Sequence, residues 1–216
     1  MFLRRAAAAV VLFAAATAAH AQVTLLSEGF NNVTTLAGSG WVLNNASTPP
    51  GSTPGWVQGD QTIFAAQAGA PQAYIAANFN NAAAGGTLNN WLISPTFSTA
   101  LAGTVSFYAR ADIIPDFFDQ LAWGFSNGGS SFADFSLGAP KTVGGDLTQI
   151  NVDFAGHGAG ATGRFAIVYT GSADLANYVG VDTFAVTAVP EPETWALLLA
   201  GIAGLGVLKR RRAVRR

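Results

Sequence analysis

The sequence predicts an all-β protein, an antiparallel β-sandwich of jelly-roll type, and three observations support this. Apolar and polar side chains alternate with a period of two in most apolar segments, which is typical of strands with one buried face. Gly- and Asn-rich turn signals separate these segments, as at 127–129. No stretch between Gln22 and Val189 sustains a helical period. Roughly ten short strands joined by polar turns favour a sandwich.

The strand candidates follow one another through the middle of the chain. In the segment at 104–111, Val105, Phe107 and Ala109 share one face, and in the segment at 164–170 Phe165 and Ile167 do so. In chain order the candidates are TLLSEGF, GWVQ, AYIAANF, WLISPTF, TVSFYARA, LAWGFS, LTQINVDF, RFAIVYT and YVGVDTFAV.

The N-terminal segment has the composition of a secretory signal peptide. Residues 1–21 begin with a pair of arginines near the start, continue as an Ala-rich apolar run and end in an A-x-A site. A basic start, a short apolar region and small residues at the cleavage site define such a peptide. We expect cleavage between Ala21 and Gln22, and therefore export of the chain.

The composition of the exported region excludes several classes of function. Between Gln22 and Val189 only Arg110, Lys141 and Arg164 are basic, against ten Asp and Glu, which gives a net charge of −7. Such a surface repels phosphate backbones, so we expect no nucleic-acid partner, whereas divalent cations or neutral glycans would suit it. The chain has no cysteine, which excludes thiol catalysis, cysteine metal sites and cysteine lipidation.

The C-terminal segment has three parts. The motif Pro190, Glu191, Pro192 precedes an apolar stretch, 195–208, of 14 residues. A bilayer-spanning helix needs about 20 apolar residues, so this predicted helix is too short for a good permanent anchor. A basic tail follows, formed by Lys209, Arg210, Arg211 and Arg212.

This three-part order resembles the PEP-CTERM sorting signal of Gram-negative, biofilm-forming bacteria. The resemblance implies that an exosortase-type enzyme recognises the tripeptide and removes or exchanges the tail. Together with the predicted signal peptide and strands, the motif divides the chain into a signal peptide at 1–21, a β-sandwich domain at 22–189 and a sorting signal at 190–216. The alternative is a simple C-terminal membrane anchor, with the basic cluster held on the cytoplasmic side.

The central region resembles choice-of-anchor J domains, which are similar to cleaved-adhesin and MAM-like jelly-roll domains. The resemblance covers about Leu26 to Val186 and is carried most clearly by "WLISP" at 91–95 and "VDT" at 181–183. It implies a jelly-roll fold and a location at the cell surface, and it assigns no enzymatic activity.

Carboxylates provide candidate metal ligands. Glu28 lies in the first predicted strand and Asp182 in the last, and these strands commonly run close together in jelly rolls, so the pair is a candidate for part of a structural calcium site. Asp112, Asp116 and Asp119 form an acidic segment that we expect to be solvated, with calcium as the second interpretation.

Tryptophans provide candidate glycan contacts, because an aromatic ring offers a large apolar face. Trp41 and Trp56 flank a polar loop, and we expect this pair to be the exposed one. Trp91 begins an apolar strand, and Trp123 alternates with other apolar residues, so both are expected in the core.

The pattern "GFSNG" at 124–128 matches G-x-S-x-G, but no helical pattern follows it, and Asn-Gly is a hairpin-turn signal. His157, in a Gly-rich loop, cannot form a zinc site by itself. We therefore predict a non-enzymatic protein.

The sequence as a whole predicts an exported protein of the cell envelope, outer surface or extracellular matrix of a Gram-negative bacterium. Its expected role is structural or adhesive, in biofilm or exopolysaccharide. The alternative is a carbohydrate-binding module that recognises extracellular glycans.

Overall fold

The structure, a computed structural model, describes residues 22–189, which form two antiparallel β-sheets packed face to face. This confirms the predicted all-β, jelly-roll-like sandwich. The predicted signal peptide, including Ala21 at its expected cleavage site, lies outside the described residues, as do the sorting motif, the predicted C-terminal helix and the basic tail. Within the described residues no helix is long and apolar enough to cross a membrane.

The strands are separated by turns and a few single 3-10 turns. In chain order the strands are β1 (Val23–Glu28), β2 (Val42–Asn45), β3 (Thr48–Pro50), β4 (Val57–Gln58), β5 (Ile75–Asn78), β6 (Ala82–Ile93), β7 (Phe97–Ser98), β8 (Gly103–Ala111), β9 (Gln120–Ser126), β10 (Ser136–Leu137), β11 (Lys141–Thr142), β12 (Thr148–Phe154), β13 (Thr162–Ser172) and β14 (Tyr178–Ala188). The 3-10 turns are Val33–Thr35, Ala37–Ser39, Phe79–Asn81, Phe132–Asp134 and Ala173–Leu175.

The first sheet has the order β12-β8-β14-β5-β4, with β1 paired to β14, and the second has the order β10-β9-β13-β6-β2. In the second sheet β11 also pairs with β9, β3 with β6 and β7 with β13. The first and last strands are neighbours, as expected, and Val23 pairs with Ala188. The described chain therefore begins and ends at one pole of the sandwich. Because β8 and β14 run between the poles, the loop at 112–119 and the turn Ala173–Leu175 lie at the opposite pole.

The main core fills the space between the sheets. Phe165 on β13 lies 6.0 Å, ring centroid to ring centroid, from Phe107 on β8 and from Phe184 on β14. Val105, Phe107 and Ala109 are all buried, which confirms their predicted shared face. Burial of aromatic rings from both sheets is the main apolar contribution to folding here.

Strand β13 differs from the prediction, because both of its faces are buried. Phe165 and Ile167 face the main core, whereas Ala166 and Val168 join a second apolar cluster on the other side of the sheet. In that cluster Trp91 stacks on Phe132 of the loop after β9, with 4.6 Å between ring centroids. When a loop covers the outer face of a central strand, both faces are buried and the covered part of the strand is apolar at every position, as in the middle of β13.

Several short strands were not predicted from the sequence, namely β2, β3, β10 and β11. Each contains at most four residues. Such segments are too short to show an alternation, and they exist because a longer strand offers them a partner, as when Val42 of β2 pairs with Ile93 of β6.

Replacing Phe165 by alanine should lower the unfolding free energy by about 3–5 kcal/mol, because it leaves a cavity where the two sheets meet. The ring is 1% exposed. The matched control is Phe118→Ala at the loop pole, which should cost less than about 0.5 kcal/mol because Phe118 is 57% exposed. Urea unfolding followed by Trp fluorescence measures both. Equal losses in the two variants would contradict the assignment of the core.

Candidate functional site

Asp182 fastens a loop to the outer face of the first sheet. Its carboxylate oxygens accept backbone N–H bonds from Gln67 at 2.7 Å, Ala68 at 3.1 Å and Thr183 at 2.6 Å. The β14 register is irregular between Asp182 and Ala185, and Thr183 has a positive φ of 48°, so the strand bulges at this point. Burial raises the pKa of Asp182, although these hydrogen bonds oppose the shift.

Glu28, the other candidate calcium ligand, lies at the end of β1 and accepts a hydrogen bond from its neighbour Phe30 N at 2.8 Å. Among residues 22–189 no three His, Cys, Asp or Glu side chains converge in a way that could hold a metal ion. A calcium site involving Glu28 and Asp182 stays a prediction. The observed contacts give both carboxylates structural roles in the local backbone.

Trp41 and Trp56 are not exposed, so the prediction that this pair forms the accessible aromatic surface is wrong. Trp41 is 4% exposed and packs edge-on against Phe184 at 5.1 Å between ring centroids. Trp56 is 5% exposed, and its indole N–H donates to Asn90 O at 3.2 Å. The polar loop between them folds back onto β6, which turns both rings inward. A glycan cannot stack on rings that the core already covers.

The acidic segment at 112–119 also differs from the prediction, because Asp119 is buried. Its side chain is 3% exposed, and one oxygen accepts from Tyr169 Oη at 2.5 Å and from Asn177 N at 2.9 Å. The other oxygen accepts from Tyr178 N at 3.2 Å. Burial raises the pKa of Asp119, and the three hydrogen bonds oppose this. The carboxylate thus joins β13 to the start of β14. Asp116 is exposed, as expected, whereas Asp112 is half-buried and accepts from Asn177 Nδ2 at 3.0 Å.

Ser126 and His157 do not form a hydrolytic site of the G-x-S-x-G type. Ser126 ends β9, and its hydroxyl donates to Gly129 O at 2.6 Å. Gly124 is needed because a Cβ there would collide with the backbone carbonyl of Ser136, and Gly128 has a φ of 93°, which the turn requires. The pattern therefore encodes the end of a strand and the start of the loop that leads to β10, and not the tight hairpin turn expected from Asn-Gly; no α-helix follows Ser126 within the described chain.

A groove lies along one side of the sandwich, between the margins of the two sheets. Strand β12 is the outermost strand of the first sheet, and the facing margin of the second sheet has only the two-residue strands β10 and β11. The groove has a volume of about 600 Å³, within the range of small-molecule sites. Its lining includes Ala109, Trp123, Lys141, Val143, Ile150 and Val152. We refer to it as the Trp123 groove.

Trp123 and Lys141 give this groove its chemical character. Trp123 points inward from β9 and packs edge-on against Phe107 at 5.8 Å between ring centroids, but its ring is only half-buried. The exposed Lys141 on β11 places its Nζ 5.2 Å from the centre of the Trp123 ring. Half-buried Ile150 and Val152 supply an apolar floor. An aromatic face, an apolar floor and a cation at the rim are groups that can bind a sugar.

The sequence did not predict this site, because it assigned Trp123 to the core. Alternation correctly placed Trp123 on the inward face of its strand, together with Leu121. The ring is only half-buried because it lies at the margin of the sandwich, facing β12, and alternation cannot show this position. Lys141 carried no sequence signal, because it lies on an unpredicted two-residue strand.

The fold is similar to solved structures of bacterial adhesin domains. The K1 cleaved adhesin domain of Lys-gingipain from Porphyromonas gingivalis W83 matches with a TM-score of 0.59 and 20% identity, covering 78% of this chain and 100% of that domain. The K2 domain of Lys-gingipain matches with a TM-score of 0.55 and 21% identity, covering 77% and 99%. At this identity the similarity defines the fold alone.

The C-terminal region carries a recognised signal. Residues 188–213 match the family model described as the PEP-CTERM protein-sorting motif. This confirms the sorting signal predicted from the sequence, and such a motif implies an exported protein that an exosortase recognises. The more specific choice-of-anchor J resemblance is not confirmed. A comparison with curated proteins found no match.

Tyr169→Phe should lower the unfolding free energy by about 1–3 kcal/mol, because Asp119 would stay buried without its hydroxyl donor. Burial raises the pKa of Asp119 above its unfolded value, so the folded state holds the proton more tightly and stability falls as the pH rises through that interval. The hydrogen bond from the Tyr169 hydroxyl lowers the pKa of Asp119 and so opposes the effect of burial. Removing the hydroxyl should therefore make the free energy of unfolding fall more steeply as the pH rises.

Urea unfolding at about pH 4 and about pH 7 measures this effect, with the larger loss expected at the higher pH. Tyr108→Phe is the matched control, since it removes a hydroxyl from a half-buried side chain on β8. A loss that does not change with pH would mean that Tyr169 supports packing and not the ionised form of Asp119.

Proposed function

We propose that this chain is a structural or adhesive protein of the bacterial surface or extracellular matrix, sorted by an exosortase and associated with biofilm or exopolysaccharide. The observation that carries the proposal is the PEP-CTERM match at 188–213, which begins where a compact β-sandwich ends. The adhesin-like fold is compatible with this role, but it does not assign it.

The arrangement of the poles supports an adhesive role. The sandwich joins the sorting motif at the pole where β1 pairs with β14, and loop 112–119 lies at the opposite pole. That loop exposes Ile113, at 61%, and Phe118, and Leu175 of the neighbouring turn is also exposed. Exposed apolar side chains that cluster on one surface are typical of interaction sites. These side chains are the part of the described surface that we expect to contact an adhesion partner.

Processing of the chain is the first test. Intact mass of the protein recovered from the envelope and the medium of its host should show loss of residues 1–21 and a new C-terminus near Pro190. A variant in which Pro190, Glu191 and Pro192 are all alanine should retain the tail through Arg216. If the wild-type protein also retains Arg216, the segment at 195–208 acts as a simple anchor and the sorting proposal is wrong.

A second candidate function is glycan binding, and the Trp123 groove favours it. The groove combines a half-buried indole with an apolar floor, and its volume of about 600 Å³ can take part of an oligosaccharide. In this version the sandwich acts as a carbohydrate-binding module for extracellular polysaccharide. The groove replaces the buried pair Trp41 and Trp56 as the candidate contact.

Trp123→Ala should weaken binding to any glycan that the protein binds on a polysaccharide array by about tenfold or more, because the sugar would lose its aromatic platform. Trp56→Phe is the matched control, since it changes a buried indole far from the groove and should leave affinity unchanged. Isothermal titration with the best array ligand measures both. Unchanged affinity in Trp123→Ala would exclude the groove, and an array without binding would exclude the glycan-binding function.

A further inference from the structure

We propose that the Trp123 groove selects a glycan that carries a carboxylate, such as a uronic acid, with Lys141 pairing with the carboxylate while the sugar ring packs on Trp123. This inference rests on the glycan-binding candidate function and names the ligand class of that same groove. The net negative charge of the domain led us to expect neutral glycans. The groove differs from the rest of the surface because Lys141 places a positive charge there.

Three basic side chains lie between Gln22 and Val189, and the contacts of Lys141 differ from those of the other two. Arg164 donates to backbone carbonyls, including that of Ser94 at 2.9 Å, so it fastens loops together. Arg110 lies over the Phe64 ring, 5.0 Å from its centre, under a loop. Lys141 is exposed, and its ammonium rests on the aromatic face that opens into the groove. Of the three, Lys141 is therefore the cation positioned for a ligand in the groove.

The position of Lys141 fits a sugar acid. A pyranose that packs its C–H face on this indole would displace the ammonium from above the ring to its edge, where the flexible Lys141 side chain can pair with a carboxylate on the same sugar. A ligand that supplies both an apolar face and an adjacent anion would contact Trp123 and Lys141 together, whereas a neutral sugar would leave the ammonium without a charged partner. Because charge-assisted hydrogen bonds are the strong ones, the anion should contribute a large share of the affinity.

A carboxylate fits this groove better than a phosphate. Lys141 is a single cation, which matches one negative charge, whereas a phosphate ester carries about two charges near neutral pH and calls for several donors. The acidic side chain at the rim, Asp153, is on the outer face of β12, where it accepts from Thr104 Oγ1 at 2.7 Å on the neighbouring strand. Asp153 also contributes to the groove lining, and its negative charge would oppose an anionic ligand there.

The test uses the exported protein purified from its host and paired probes: trigalacturonate, a β-1,4-glucuronate trimer, and the methyl esters of both. Each ester keeps the ring geometry and removes the charge. Isothermal titration should show that at least one acid binds about tenfold more tightly than its ester. Added salt should weaken binding of the acid and leave that of the ester nearly unchanged.

Three variants separate the contributions of charge and ring. Lys141→Gln should reduce the affinity for the acid to that for the ester, Lys141→Arg should retain the preference, and Asp153→Asn should strengthen binding of the acid. Thermal unfolding checks that each variant folds. Equal binding of acid and ester, or a preference that survives Lys141→Gln, would overturn the inference while leaving glycan binding in place. Failure to bind either acid would also overturn it, and the polysaccharide array would then decide the glycan-binding function separately.

Discussion

The packing of aromatic side chains between the two sheets is the interaction on which the remaining structure depends. Phe165 lies at its centre, 4.9 Å between ring centroids from Phe125 on the neighbouring strand and in contact with Phe107 and Phe184 of the facing sheet. Because the protein has no disulfide to limit the unfolded chain, this burial has to offset the conformational entropy of the domain. The strands that contribute these rings are among the longer ones, and β14 keeps Phe184 in the core despite the bulge at Thr183.

Buried polar side chains hold the loops against this core through hydrogen bonds to the loop backbone. A side-chain carboxylate or amide accepts or donates bonds to the backbone of a loop, which satisfies groups that the loop could not pair by itself. Asp182 does this for the segment at 67–68, and Asp119 does it for the turn before β14. Asn81 donates to Thr53 Oγ1 and Gly55 O, which fixes the loop that turns Trp56 inward. Acidic residues that look like ligands in the sequence are therefore part of the architecture.

Two features of the exposed surface are candidates for binding: the Trp123 groove and the loop pole. The Trp123 groove exists because β12 forms the margin of its sheet while the opposite margin has only short strands. The loop pole carries exposed apolar side chains and lies opposite the ends of the described chain. Both features lie at margins, where the sandwich cannot bury everything, and this is where proteins of this architecture can vary without loss of the core.

The sequence by itself determined the fold class, the shared inward faces of the segments at 104–111 and 164–170, and the C-terminal sorting signal. A period of two fixes which side chains share a face, Gly and Asn fix the turns, and a PEP-CTERM motif is read as a linear pattern. Only the tertiary structure decided how deeply each of those residues is buried. Trp41 and Trp56 are covered and Trp123 is not, although all three lie among similar residues, because exposure depends on what the facing sheet or loop supplies. For the same reason Asp119 is buried within an acidic segment, and Lys141 meets Trp123 through a strand of two residues that exists only by pairing with β9.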